Sequence, residues 1–149
     1  MYSFRPVRFA DHAAAYAFAK ANCGTCRHPG EKNRRPSWNR SARSLLAMQA
    51  AMDAGDYRVS VEHDPDVDTS WDDSGEVAAK LASDDYVSVC VVLERLDTWM
   101  NARTGETEER WTVAGSCSGI IGPDGDPYWQ DVACDLFDED RRTIEKRRA

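Results

Sequence analysis

The stretch YVSVCVVLERL (residues 86–96) alternates with period two: Val87, Val89, Val91 and Leu93 share one face, and Ser88, Cys90, Val92 and Glu94 share the other. Such a strand needs a cover for its apolar side, and the residues suited to this stand near the C-terminus. Trp129, Val132, Ala133, Leu136 and Phe137 recur at i, i+3, i+4, i+7 and i+8, the pattern of an amphipathic helix. One strand and one lid of this kind, forty residues apart, constrain the chain to a layer of sheet under a layer of helix.

The remaining elements fill in around this pair. Asp11 is a helix-capping residue, and the helix it opens, to about Asn22, carries Ala14, Ala15, Phe18 and Ala21 on one side. Ala42, Leu45, Leu46, Gln49 and Met52 give a second helix from about Trp38 to Ala54, stopped by Gly55. Tyr57, Val59 and Val61 alternate with polar residues as a half-buried strand. Ser74 is placed to cap a short helix containing Val77, Ala78 and Leu81. A strand over about Glu109–Ile121, with Trp111, Val113, Gly115 and Cys117 on one face, pairs with 86–96 across a long polar loop, 97–108. Asp126 caps the last helix, with Pro127 at its first position and Cys134 off its apolar stripe. The expectation is an α+β fold: a small antiparallel sheet of about three strands covered by three or four helices. It forms a single domain over 1–149, with a basic helical part (1–56) and an acidic sheet-and-helix part (57–149). The order of elements is not a βαβ run, which argues against a parallel nucleotide-binding sheet.

Charge follows the same division. Residues 1–60 carry ten Lys/Arg against four Asp/Glu, net +6; residues 61–140 carry four against twenty-one, net −17; the last nine carry five against one, net +4. Acidic and basic segments of one chain either neutralise each other or present a polarised surface to a charged macromolecule. No apolar run approaches the ~20 residues of a membrane span, and Arg5, Arg8, Asp11 and His12 interrupt any signal-peptide core, so a cytoplasmic location is expected. Five dispersed cysteines suit reduced thiols better than a disulfide framework.

Few motifs carry chemistry. Cys23 and Cys26, with His28 two residues on, offer three ligands for zinc, the one cofactor the chain suggests; a fourth would have to come from Cys90, Cys117, Cys134 or His63. Asp64, Asp66 and Asp68 have the spacing of a calcium loop, yet Thr69 and Gly75 stand where that loop needs glycine and glutamate. The sequence lacks GxSxG, HExxH, a phosphate loop and GxGxxG. A non-catalytic role is therefore expected, with an acid–base site assembled in space as the enzymatic alternative. For binding, Trp71 beside Asp72 and Asp73, and Trp99 in its hairpin, are candidate anchors for a protein partner. Arg34, Arg35 and Trp38 sit in the basic stretch Arg27–Arg43, which suits a nucleic-acid backbone, with Trp38 to stack on a base. Carboxylates at 62–85 and 124–140, if aligned in rows on one face, would instead imitate DNA and occupy a DNA-binding protein.

Two groups of residues carry a resemblance. Phe4 and Pro6, then Phe18 and Cys23-Gly24-Thr25-Cys26, form the first. The second is His63-Asp64-Pro65-Asp66 to Trp71, the valine-rich 87–92, Gly119-Ile120, Tyr128, Val132, Ala133 and Leu136. Together they resemble small acidic proteins of bacteriophages and their bacterial hosts. The chain departs from that pattern at Ser37-Trp38, where a further cysteine is expected, and at Ser118, where a tryptophan would precede Gly119. The resemblance implies a mobile-element origin, and with it the cytoplasm of the host cell. The absence of catalytic motifs, the split charge and the spare aromatics then lead to the expectation of a non-catalytic protein that binds a host protein so as to modulate or inhibit it.

Overall fold

The computed structural model describes residues 2–22 and 38–148. It contains four helices and a three-stranded antiparallel sheet, an α+β fold. In chain order these are α1 (His12–Asn22), α2 (Trp38–Asp53), β1 (Tyr57–His63), α3 (Glu76–Ala82), β2 (Val87–Met100), β3 (Thr107–Gly122) and α4 (Tyr128–Arg148). The sheet order is β1-β2-β3. Val61 pairs with Val91 and Tyr57 with Arg95 on one side of β2; Leu93 pairs with Gly115 and Leu96 with Trp111 on the other.

The core lies between the sheet and the helices. Val61, Val89, Val91 and Leu93 meet Ala42, Leu45 and Met48 of α2 and Trp129, Val132, Ala133 and Phe137 of α4, all buried. Tyr57 packs edge-on against Phe137 with ring centroids 5.1 Å apart. On α1 the buried pair is Ala15 and Ala19, while Ala14 and Ala21 are exposed; the stripe is rotated from the expected one. Small buried residues on α1 and Ala42 on α2 let these helices approach closely.

Cys134 is buried, against the expectation from helical period, and so are Gln130 and Asp131. The N-terminal segment lies against α4 at Gln130 and against α2 at Gln49, and α1 and α2 also pack on α4. Two glutamines hold that segment by its backbone. Gln130 Oε1 accepts from the Val7 N–H (2.7 Å) and Nε2 donates to the Val7 carbonyl (2.9 Å). Gln49 does the same at Phe9, at 2.8 and 3.0 Å. Each amide replaces one rung of a strand ladder, satisfying main-chain groups that burial would leave without water. Tyr2 adds a bridge to Val61.

β3 departs from regular alternation twice. Glu94 pairs with Val113 and Leu93 with Gly115, so Ala114 is an extra residue; a second irregularity lies opposite Val89–Val91. A bulge of this kind reverses which side the following residues face. Gly115 and Cys117 therefore share the helix side, whereas Trp111 and Val113 face outward, not all four together. A Cβ at Gly115 would come within 3.1 Å of Leu136 Cδ2, the close approach that brings α4 down on the sheet. The hairpin is longer than expected: Asp97–Met100 and Thr107–Glu108 are strand, and only 101–106 is loop. Before α3, Gly75 is the N-cap, with φ 71°, and Ser74 contributes only an Oγ that accepts from Glu76 N–H at 3.2 Å.

Candidate binding surface

The acidic stretch folds into two kinds of carboxylate site. The first is internal. Asp140, buried on α4, accepts from Arg95 Nη1 at 2.6 and 2.8 Å and from the Tyr57 hydroxyl at 2.7 Å. Arg95 also pairs with Asp97 at 2.8 Å. Burial, reinforced by Asp140, pushes the Tyr57 hydroxyl up to about 12. The hydrogen bond from Arg95 holds Asp97 below the usual carboxylate range. This group locks α4 to the first two strands.

The second site is external. From Asp64 to Asp73 the chain carries five aspartates and no Lys or Arg. Asp64 Oδ2 crosses β2 to accept from the Gly119 N–H of β3 at 2.8 Å, and Oδ1 accepts from Asp66 N–H at 3.1 Å. Asp68 Oδ1 accepts from Ser70 N–H at 2.9 Å. Asp72 is a structural group: Oδ2 accepts from the first-turn Val77 N–H of α3 at 2.9 Å, and Oδ1 from the Ser74 hydroxyl at 2.6 Å. These bonds hold Asp68 and Asp72 below the ordinary carboxylate range, the side chain–backbone turns stabilising their ionised forms. Asp66 and Asp73 are exposed. The loop is thus a self-bonded rim of negative charge.

Trp71 stands on that rim, 65% exposed, its indole N–H donating to the Asp68 carbonyl at 2.9 Å. It borders an open hollow of about 770 Å³ lined also by Asp64, Val67, Ile120, Ile121 and Tyr128. Cys117 lines the same hollow, but burial first, then Cys90 and Asp135, push its thiol up, away from the thiolate a nucleophile needs. Among the described residues no three His, Cys, Asp or Glu converge as a metal would require. Asp64 and Asp68 are instead the acceptors of turns.

The other expected residues are dispersed. Trp99 is 53% exposed on the hairpin, beneath Arg110 at 6.0 Å, far along the sheet from the Trp71 hollow. Trp38 is half-buried, set edge-on to Tyr16 with Lys20 over its ring, so it packs the α1–α2 layer. Cys23, Cys26, His28, Arg34 and Arg35 lie outside the described residues, as does most of Arg27–Arg43. No helix among the described residues is long and apolar enough to cross a membrane.

Between α2 and the last turns of α4 runs a groove of about 490 Å³ with Ala47, Ala50, Ala51, Tyr57, Phe137 and Ile144 along it and Arg141, Glu145 and Arg148 on its rim. Its signal was present: Phe137, Arg141, Ile144 and Arg148 continue the spacing of the buried stripe beyond the end of the core. Comparison of the chain with protein-family models, with curated proteins and with solved structures finds no match.

Proposed function

We propose that the chain is a non-catalytic binding protein of phage type, acting in the host cytoplasm, that sets its acidic Trp71 loop against a basic surface of a host protein and thereby modulates or inhibits it. The observation that carries this reading is Trp71 itself. An indole two-thirds exposed on a surface of five aspartates, beside an apolar-floored hollow, combines the aromatic anchor and the charged rim of a protein interface. The loop is held by its own hydrogen bonds before any partner arrives, which lowers the ordering cost of docking. The DNA-imitating alternative draws less support: it needs the carboxylates of α4 in an outward row, and Asp131 and Asp140 are buried.

Trp71→Ala with Asp73→Asn removes the anchor and one exposed charge without touching the Asp72 cap. Wild type and this double variant, immobilised side by side, are exposed to bacterial lysate at low and moderate salt. A protein retained by wild type and lost by the variant is expected. Equal recovery on both, or none on either, would overturn the reading.

A further inference from the structure

The partner chemistry that the Trp71 loop calls for, a basic rim around an apolar floor, is present on this chain. We infer that the loop of one copy seats in the α2–α4 groove of a second copy, so that the protein associates head to tail; this rests on the binding role given to the Trp71 loop above. The charges are complementary. The loop carries five aspartates and no cation, while the groove is lined by Arg141 and Arg148 against Glu145, with Arg142, Lys146 and Arg147 elsewhere on the same last turns of α4. The floor suits an indole: Ala47, Ala50 and Ala51 are short enough to admit it, and Ile144, only partly buried, can contact its face.

Position excludes the alternative in which a molecule fills its own groove. The Trp71 hollow is bounded by Tyr128, the first residue of α4, and the groove by Arg141, Ile144 and Arg148 in its last turns. A helix of 21 residues is about 30 Å long, so loop and groove lie at opposite ends of it. Two different patches at opposite poles make a heterologous contact, which repeats as an open chain or closes as a ring. The contact is small, in the class below about 1,200 Å² of total buried area, so the association is weak and concentration-dependent. It also diminishes with salt, because exposed charges drive part of it.

Sedimentation velocity on the full chain tests this across the micromolar to millimolar range at low and high salt. Wild type is expected to form a ladder of species at low salt that retreats at high salt. Trp71→Ala disables the loop and Ala50→Glu disables the groove; Ala50 is exposed, so the change leaves the α2 core contacts in place. Each variant alone is expected to associate roughly 30-fold more weakly, the loss of an interface tryptophan. An equimolar mixture of the two keeps one intact loop and one intact groove, so it should give a 1:1 dimer and nothing larger. Arg141→Glu with Arg148→Glu serves as a second groove variant with the same expectation. A wild type that is monomeric throughout at low salt, or variants that associate as wild type does, would overturn the self-pairing. If that happens while the lysate partner is still lost with Trp71, the loop remains a binding site for another protein; if both fail, the loop itself is not one.

Discussion

Asp140 and the aspartates of 64–73 come from the same acidic stretch of sequence and serve opposite ends. Asp140 is buried, held by Arg95 and Tyr57, and joins α4 to the sheet. The loop aspartates bond to their own backbone, or to Gly119, and keep their charge at the surface. The difference is one of partners rather than of residue type. A carboxylate in the interior is tolerable only with a cation and hydrogen bonds around it, so its removal or orphaning is felt by the whole fold. A carboxylate in a turn at the surface stabilises a few residues and remains available to another molecule.

The largest effect should follow from orphaning the internal carboxylate. Arg95→Ala leaves Asp140 with the Tyr57 hydroxyl alone, and the expected loss is about 3 kcal/mol, toward the lower end for a buried pair because Arg95 is partly exposed. Urea unfolding with an unchanged slope and a lowered midpoint would show it. A loss no greater than that of an average surface substitution would mean that the two carboxylate classes do not differ as described.

An intermediate effect is expected at alkaline pH. The ordinary tyrosine value is 10.0, and Tyr57 in the folded chain stands at about 12. A folded-state value raised above the unfolded one contributes stability that is complete below pH 10 and disappears as pH rises through about 12. Spectrophotometric titration should therefore reveal a late-ionising phase that is absent in Tyr57→Phe, and the stability gap between wild type and that variant should narrow over the same interval. A titration in which every tyrosine ionises together would place Tyr57 in solvent and dissolve the internal site.

How much of this was legible from the sequence depended on whether a residue's surroundings were local. The β2 alternation and the stripe Trp129–Phe137 were legible because one covered face writes a period into the chain. The outer hairpin was not: at Asp97–Met100 and Thr107–Glu108 neither face is covered by a helix, so no apolar period is written there and the segment reads as a loop. The bulge at Ala114 was invisible for a related reason, since a single inserted residue changes the facing of Trp111 and Val113 without changing composition. Cys134 reads as a surface position because it lies off the apolar stripe, yet α1 and α2 pack on α4 as well as the sheet does; the segment Tyr2–Phe9, which meets Gln130 and Gln49, has no period at all and is held by side-chain amides. In the candidate site, Trp71 and its aspartates were legible as an exposed aromatic in an acidic run. The hollow beside them was not, because it depends on Asp64 reaching Gly119, fifty-five residues away.

The smallest effect on stability should come from the external site, and its smallness is informative. Trp71 makes one hydrogen bond within its own loop and is mostly in solvent, so Trp71→Ala is expected to shift the unfolding free energy by no more than about 0.5 kcal/mol. Asp73→Asn should add nothing measurable, since Asp73 is exposed and the cap of α3 is supplied by Asp72. Urea midpoints of wild type and the two variants would check this. A tryptophan that costs little to remove from the folded chain has not been placed there by the requirements of folding, because an exposed indole forgoes the burial that ordinarily stabilises one. Should Trp71→Ala prove strongly destabilising, the indole would be a packing residue, and the distinction between an inward carboxylate set that holds the fold and an outward set left for a partner would lose its aromatic half.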